Sequence, residues 1–219
     1  MTDFATARRN MVDGQVRPAD VTDLRIIAAM LEVPRERFVP PPSAGLAYLD
    51  LALPVGSGPS AGRCLLKPRA LAKLIQALDL SATDRVLDVG CGTGYAAAVI
   101  ARIAGQVVAL EQDEKLAQSA QAALSSQPNV SVVKGPLAAG WPQAAPYDAI
   151  LIEGAVEFVP EALWRQLKDG GRLVCILGTA PSAAAMLYCR SGDELGGRAI
   201  FDAAAAALPG FAKAPVFAF

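Results

Sequence analysis

Short apolar runs alternate with helical patterns along most of the chain. Five such runs, each bounded by turn residues, predict buried strands at 86–89, 107–110, 129–134, 147–152 and 172–177. Two more runs, 185–190 and 198–201, flank the turn sequence SGDELGG and predict an antiparallel hairpin at the edge of the sheet. The order of these patterns predicts an α/β fold with a mostly parallel, seven-stranded central sheet and helices on both faces.

Helical spacing appears in the segments before and between the predicted strands. Apolar residues at i, i+3, i+4 and i+7 predict an amphipathic helix from Leu24 to Leu31. Asp20 or Thr22 can cap its start, and Pro34 ends it. Further helices are predicted to begin at Pro68 and to cover 95–104, 113–125 and 160–167, the last followed by a C-cap turn at 169–171.

The N-terminal part of the chain has a less regular pattern. Gly14 and Pro18 interrupt any long helix near the N-terminus, so a short helix followed by a loop is expected there. A proline-rich loop covers 35–42, and the segment AYLDLALPVGSGPSAGR that follows is rich in Gly, Pro and Ser. Loops of this length in a compact domain are usually functional or mobile.

The segment VLDVGCGTGYAAAVIARIAGQVVALE combines a strand, a glycine turn, a helix and a second strand. Its alternating glycines, Gly90, Gly92 and Gly94, accept positive φ and leave room for a ligand against the backbone. Asp88 stands at the carboxyl end of the first strand. Glu111 ends the second strand, where an acid can accept hydrogen bonds from ribose hydroxyls. This arrangement predicts a site for an adenosine-containing ligand.

The spacing of the glycines separates two kinds of ligand. Only Thr93 lies between Gly92 and Gly94, whereas the dinucleotide fingerprint has two residues there. The D-x-G-x-G-x-G arrangement instead resembles the first motif of class I S-adenosylmethionine-dependent methyltransferases. That resemblance implies S-adenosylmethionine as cofactor, with its methionine part against the turn, its amino group near the first acid and its ribose on the second. The implied cofactor residues are Asp88, Gly90, Cys91, Gly92, Gly94, Glu111 and Gln112.

Length and charge limit the classes of function. The chain has 219 residues, of which 53% are hydrophobic, and a formal net charge of −1. This favours an N-terminal helical extension with a substrate loop at 1–67 and a Rossmann-like cofactor-binding domain at 68–219, together one compact unit. The small net charge gives no general attraction for nucleic acid or an anionic membrane. Because the chain has no membrane-length apolar run and no apolar signal core, we expect a cytoplasmic protein. We also expect a monomer or a weak dimer.

Cysteine and histidine usage restricts the chemistry further. The four cysteines are scattered and the chain contains no histidine, so no metal site is predicted. Mechanisms that need imidazole, such as Ser-His-Asp and Cys-His, are excluded. Cys175 and Cys189 lie in apolar strand patterns and are expected to be small core residues. The apolar tail ALPGFAKAPVFAF is expected to pack back on the core with its phenylalanines inside.

Five motifs follow one another along about residues 8–180. They are MVDGQVRPADVTD, VPRERFVPP, AYLDLALPVGSG, PYDAI and LKDGGRLVCILG. Together with the glycine turn they resemble the protein-L-isoaspartate O-methyltransferase family. The resemblance implies a class I methyltransferase fold and methyl transfer from S-adenosylmethionine to the carboxylate of isoaspartyl residues in damaged proteins and peptides, which starts their repair. The implied partner is a protein or peptide that carries an isoaspartyl residue.

The sequence departs from the family pattern at two places. Before the proline that starts the next helix, the family has a Gln-Thr-Ile-Ser-type segment whose hydroxyls line the substrate site. Here the corresponding residues are Arg63-Cys64-Leu65-Leu66-Lys67, with Leu66 in place of the serine, and no catalytic residue is assigned. Ser57 and Ser60 lie nearby but are expected to be turn serines. Pro136 replaces a family acid near adenine, so adenine recognition must use other groups, such as the Leu137 backbone.

Other functions therefore stay open. A methyltransferase with a different acceptor would account for a rewritten loop at 50–67, and a catalytically silent homologue could bind the cofactor in a regulatory role. A nicotinamide-dependent oxidoreductase is disfavoured by the glycine spacing. Glu153, at the end of the predicted strand 147–152, is expected beside Asp88, where it can contact substrate or cofactor or serve as a cap.

Overall fold

Helices and short turns form the first part of the computed structural model, which describes residues 3–213. Helix α1 (Phe4–Met11) leads through a π-helical turn (Val12–Val16) and a 3-10 turn (Arg17–Ala19) to helix α2 (Leu24–Glu32). Two more 3-10 turns (Arg35–Phe38 and Pro41–Leu46) precede an antiparallel pair of short strands, β1 (Leu53–Pro54) and β2 (Cys64–Leu65).

The N-terminal helix is longer than the sequence predicts. The chain stays helical from Phe4 to Ala19, because Gly14 lies in the wide π turn and Pro18 takes a first-turn position that needs no N–H group. The proposed caps of the next helix are also wrong. Asp23 caps α2, since its carboxylate accepts a hydrogen bond from the Arg25 N–H at 2.8 Å.

Helices and strands alternate through the rest of the chain. In order they are α3 (Pro68–Ala77), β3 (Arg85–Val89), α4 (Tyr95–Ile100), β4 (Gln106–Glu111), α5 (Glu114–Leu124), β5 (Val130–Lys134), β6 (Tyr147–Val156), α6 (Glu161–Trp164), β7 (Leu167–Leu177), β8 (Ala184–Ser191) and β9 (Glu194–Asp202). Seven strands form one sheet in the order β5-β4-β3-β6-β7-β8-β9. The pairs from β5 to β7 are parallel, and β8 and β9 add an antiparallel hairpin at the edge.

This topology confirms the predicted fold class and locates the ligand edge. The strand order reverses at β3, which lies between β4 and β6. Ligands of open α/β sheets bind beyond the carboxyl ends of the strands at such a point. One sheet face packs against helices α1 to α5, and the other against α6, two 3-10 turns and the segment after β9.

Helix α6 and strand β7 differ from the prediction. The helix expected at 160–167 covers only Glu161–Trp164, and the turn expected at 169–171 lies inside β7. The glycines there permit an irregularity: the register with β6 jumps from Tyr147 opposite Leu167 to Ala149 opposite Arg172. The pair Gly170-Gly171 therefore lies at an irregularity within strand β7 and not at the end of helix α6.

The core predictions hold in part. Cys175 is fully buried, but Cys189 is exposed, because it lies on β8 opposite Gly196 of the edge strand, where nothing covers it. Phe211 is buried, as expected for the tail, whereas Phe217 and Phe219 lie outside the described residues. Within the described part of the chain, no helix combines the length and the apolar character needed to cross a membrane.

Candidate functional site

The glycine turn follows β3 directly and has the predicted backbone geometry. Gly90, Gly92 and Gly94 have φ values of +78°, +57° and +94°, in the region that glycine tolerates best. At Gly94 a Cβ atom would also come within 2.6 Å of the Leu124 Cδ1 atom. The hydroxyl of Thr93 donates to the Phe38 carbonyl at 2.6 Å, which attaches the turn to the N-terminal extension.

Three acids meet at the carboxyl edge of the sheet. Asp88 lies on β3, Glu111 ends the neighbouring β4, and Glu153 lies near the end of β6 on the other side. The parallel registers place Asp88 opposite Ala109 and opposite Leu151. All three side chains are buried. The expectation that these acids come together at one edge is therefore correct.

Glu111 organises the turn through hydrogen bonds. Its Oε2 accepts from the Gly92 N–H at 2.8 Å, and its Oε1 accepts from the N–H groups of Gln112 and Asp113 at 2.8 and 3.0 Å. Hydrogen bonds from several N–H groups stabilise an ionised carboxylate. The acid at the end of β4 is thus a structural anchor as well as a candidate ligand group.

The cation that pairs with Glu111 is Arg63, which the sequence analysis did not assign to the site. Its Nη1 and Nη2 atoms lie 2.8 and 2.9 Å from the two carboxylate oxygens of Glu111, and Nη2 also donates to the Gly90 carbonyl at 2.8 Å. The side chain is almost fully buried. The one signal in the sequence was a single arginine among the small and apolar residues before Pro68.

Asp88 and Glu153 form a buried carboxyl pair. Apart from the other carboxyl, no group among the described residues lies in hydrogen-bonding geometry to either oxygen of Asp88 or to the Oε1 of Glu153, and a proton on one acid lets the two bond to each other. Burial raises the pKa of Asp88 to about 7, and burial together with the nearby Asp88 raises the pKa of Glu153 well above its usual range. A buried pair of acids with no other hydrogen-bond donor calls for an explanation, and a binding site for a group that carries hydrogen-bond donors is one.

The segment after β9, residues 203–211, crosses the same edge and is called the crossing segment below. The Ala155 N–H donates to the Ala206 carbonyl at 2.8 Å, and the Leu208 N–H donates to the Ala155 carbonyl at 2.9 Å. A Cβ atom on Gly154 would come within 2.6 Å of the Leu208 Cγ atom, and one on Gly90 within 3.3 Å of its Cδ1 atom. The Leu208 side chain therefore fills the space between the two glycines.

An open cavity of about 580 Å³ is lined by Arg63 and Leu208, the two side chains that cover the turn. Gln112 and Asp113 line it, together with Ser60 and Lys134. The expected ligand residue Gln112 thus faces open space. Cys91 has its thiol fully buried, and its backbone N–H and carbonyl bond to Leu110 and Gly94.

The loop that departs from the family pattern has a structural role. Leu66 is buried in the core, and its carbonyl accepts from Arg35 Nη2 at 2.8 Å. The hydroxyl of Ser60 donates to the Ser57 carbonyl at 3.1 Å, which is the turn geometry expected for these serines. Pro136 precedes a 3-10 turn in which Leu137 is fully buried.

Comparison with known proteins identifies the family. The sequence profile of the protein-L-isoaspartate(D-aspartate) O-methyltransferases matches residues 7–200. Protein-L-isoaspartate O-methyltransferase 1 of Rhodopseudomonas palustris (strain HaA2) is 44% identical over 184 residues, which cover 83% of this chain and 74% of that protein. Protein-L-isoaspartate O-methyltransferase of Roseiflexus sp. (strain RS-1) is 41% identical over 88% of this chain and 87% of that protein.

Solved structures agree with this assignment. A protein-L-isoaspartate O-methyltransferase superposes with a TM-score of 0.82 at 28% identity, covering 93% of this chain and 66% of that chain. A Plasmodium falciparum protein described as a putative member, in complex with S-adenosyl-L-homocysteine, has the same fold, with a TM-score of 0.76 at 17% identity over 95% of this chain and 99% of that one. The chain therefore belongs to the protein-L-isoaspartate(D-aspartate) O-methyltransferase family, which makes it an S-adenosylmethionine-dependent enzyme of protein repair.

Proposed function

We propose that this chain methylates the carboxylate of isoaspartyl residues in proteins and peptides, and that Asp88, Glu111 and the glycine turn hold the methyl donor. The observation that carries the proposal is the buried Asp88 carboxyl, which lies two residues before Gly90 and, among the described residues, has only the Glu153 carboxyl as a hydrogen-bond partner. A donor with an ammonium group would supply the missing hydrogen bonds. Gly90, Gly92, Gly94, Cys91 and Gln112 complete the proposed donor site.

The charges at this edge fit S-adenosylmethionine. Glu111 is already paired with Arg63, whereas Asp88 and Glu153 are buried acids without an ion pair among the described residues; a positively charged ligand would favour their ionised forms, and phosphates would be repelled by them. When bound, S-adenosylmethionine supplies an electrophilic methyl group on a positively charged sulfur. The residue types fit this group, although Arg63 and Leu208 occupy part of the space above the turn.

The acceptor chemistry suits a chain without histidine. A carboxylate is already ionised and nucleophilic at neutral pH, so its methylation needs no general base. The protein then has to align the acceptor oxygen with the methyl carbon and to exclude water. For an amine or hydroxyl acceptor a base would be needed, and among the usual candidates imidazole is missing.

A different acceptor is the second candidate. Leu66 is buried and bonded through its carbonyl to Arg35, so this position offers no hydroxyl to a substrate. Because loop 50–67 lacks the hydroxyls that line the family's substrate site, the acceptor can be the carboxylate of a molecule other than an isoaspartyl peptide. This alternative uses the same donor site and the same displacement chemistry.

Methyl transfer from radiolabelled S-adenosylmethionine to an isoaspartyl peptide tests the proposal, with the aspartyl twin of the same sequence as control. We expect label only in the isoaspartyl peptide. With the donor below saturation, Asp88→Asn should strongly reduce the transfer, while Asp148→Asn, the same change near the start of β6, should keep it. If the protein binds the methyl donor but transfers no methyl group to the isoaspartyl peptide, isoaspartate is excluded as the acceptor and the second candidate is favoured.

Two wider expectations also stay proposals. We propose that the protein acts in the cytoplasm as a monomer or a weak dimer. Size-exclusion chromatography with light scattering at several concentrations tests the second of these. A mass of twice 22.7 kDa that persists on dilution would contradict it.

A further inference from the structure

We propose that this chain closes its own donor site, with Arg63 on Glu111 and Leu208 in the glycine turn, so that donor binding requires both side chains to leave. The inference rests on the proposed donor site and adds a means of regulating it. Three observations carry it: the hydrogen bonds that occupy Glu111, the position of Leu208 against Gly90 and Gly154, and the buried carboxyl pair of Asp88 and Glu153.

Glu111 has no acceptor position left for a ligand. A carboxylate offers about four lone-pair sites on its two oxygens. Here Oε1 accepts from Arg63, Gln112 and Asp113, and Oε2 accepts from Arg63 and Gly92. A ribose that used this acid would have to replace the two bonds from Arg63, since the other three come from the backbone of the turn and of the chain after β4.

Leu208 occupies the turn as part of a built element. The crossing segment pairs with the end of β6 through two backbone hydrogen bonds at Ala155, and the Glu157 N–H donates to the Phe211 carbonyl at 3.1 Å. Leu208 and Phe211 are both buried. Backbone pairing and two buried apolar anchors hold the segment on the sheet edge, so Leu208 is not a loosely placed surface side chain.

The closed arrangement leaves Asp88 and Glu153 with only each other as hydrogen-bond partners. Both acids are buried, and no other group in the described part of the chain bonds to either oxygen of Asp88 or to the Oε1 of Glu153. Unsatisfied buried polar groups are costly, so the closed form carries a penalty that a cationic ligand can remove. The contacts of Arg63 and Leu208 therefore favour the closed form, whereas hydrogen bonds from a ligand to Asp88 and Glu153 would favour the open form.

This balance has a measurable consequence for affinity. When only a fraction of molecules is open, the apparent dissociation constant rises by the inverse of that fraction. A closed form favoured by 100 to 1 would weaken donor binding about 100-fold without any change in the site itself. Removal of either the Arg63 or the Leu208 side chain should therefore increase the affinity for the donor.

The test compares binding of S-adenosylhomocysteine to the wild type, to Leu208→Ala and to Arg63→Gln by calorimetry and stopped-flow fluorescence. We expect each variant to bind at least about tenfold more tightly than the wild type. The wild-type binding rate should level off with ligand concentration because opening limits it, and the plateau should rise in Leu208→Ala. Thermal melts establish that each variant is folded. Because Arg63 and Leu208 make different contacts, the two variants test the closure independently.

Matched controls separate closure from general loosening. Leu163→Ala truncates an equally buried leucine on α6, and Arg172→Gln breaks the ion pair with Asp84, where the Nη2 to Oδ2 distance is 3.1 Å. Both should leave the affinity at the wild-type value. Hydrogen exchange at the Leu208 and Ala155 amides should increase when the ligand is added to the wild type.

The possible contrary results point to different errors. If the wild type binds as tightly as both variants, the closure is wrong while the proposed donor site stands. If neither the wild type nor the variants bind, the donor assignment fails and the closure falls with it. Weaker binding in both variants would show that Arg63 and Leu208 support the ligand, which also overturns the inference.

Discussion

The guanidinium carbon of Arg35 lies 4.6 Å from the centre of the Tyr95 ring, and both side chains are fully buried. Arg35 also donates from Nε to the Ala47 carbonyl at 2.9 Å and from Nη2 to the Leu66 carbonyl at 2.8 Å. One side chain thus joins the N-terminal extension, the loop 50–67 and the start of helix α4 beside the glycine turn.

Arg35→Ala should therefore destabilise the whole protein. The change removes two hydrogen bonds and a cation–π contact and leaves two buried carbonyls without donors, so we expect a loss of roughly 3 kcal/mol. Urea unfolding followed by circular dichroism measures it. Arg17→Ala, which breaks an exposed ion pair with Asp13, should cost less than about 0.5 kcal/mol. Equal losses in the two variants would contradict the role of Arg35.

The carboxyl pair predicts how stability depends on pH. Asp88 has an ordinary pKa of 3.8 and a folded pKa of about 7, because burial disfavours its charged form. The folded state therefore binds more protons than the unfolded state, and the free energy of unfolding should fall as pH rises from about 4 to about 7. Glu153, whose pKa burial also raises, extends this loss to higher pH.

Removal of the titrating group should flatten that dependence. We expect Asp88→Asn to be more stable than the wild type at pH 8 by an amount on the order of 2 kcal/mol, and to differ less at pH 5. Urea midpoints at a series of pH values measure this. Parallel pH profiles for the two proteins would show that Asp88 does not titrate in this range.

Gly94→Ala should destabilise the turn for two reasons. The backbone has a φ of +94°, which an L residue rarely adopts, and the added Cβ atom would lie 2.6 Å from the Leu124 Cδ1 atom. We expect a loss of roughly 2 kcal/mol and weaker donor binding. Gly196→Ala on the edge strand is the matched control, since nothing lies within 4 Å of its added atom. A melting temperature equal to that of the control would refute this account.

The donor assignment predicts a loss of affinity in two acid variants. Asp88→Ala and Glu111→Ala should each weaken S-adenosylhomocysteine binding by roughly 1–3 kcal/mol, the scale of hydrogen bonds to a charged group. Calorimetry at one pH measures both. Asp148→Ala serves as the control, because this acid lies near the start of β6, away from the turn. If both variants bind as the wild type does, the proposed ligand residues are wrong.

Sequence reasoning located the strands, the turn and the acids because these depend on local periodicity and on glycine spacing. It missed Arg63 and Leu208, since each reaches the turn from an irregular segment, Arg63 from 27 residues before Gly90. Which side chain fills a pocket depends on long-range packing that leaves no repeat in the sequence. The helix at α6 was predicted too long for a related reason, because a glycine pair is compatible both with a helix end and with a bulge.

The acids of the site lie on three neighbouring strands, and their separation is set by the ladder that places Asp88 opposite Ala109 and Leu151. The loop 50–67, which contributes Arg63 to the site, is not part of this parallel strand pairing. Under the proposed function, an exchange of that loop for the one in a relative, with Arg63 retained on Glu111, would change the surface next to the acceptor while preserving the geometry of the acids. Acceptor choice in this scaffold should be open to engineering by the transplant of a single loop.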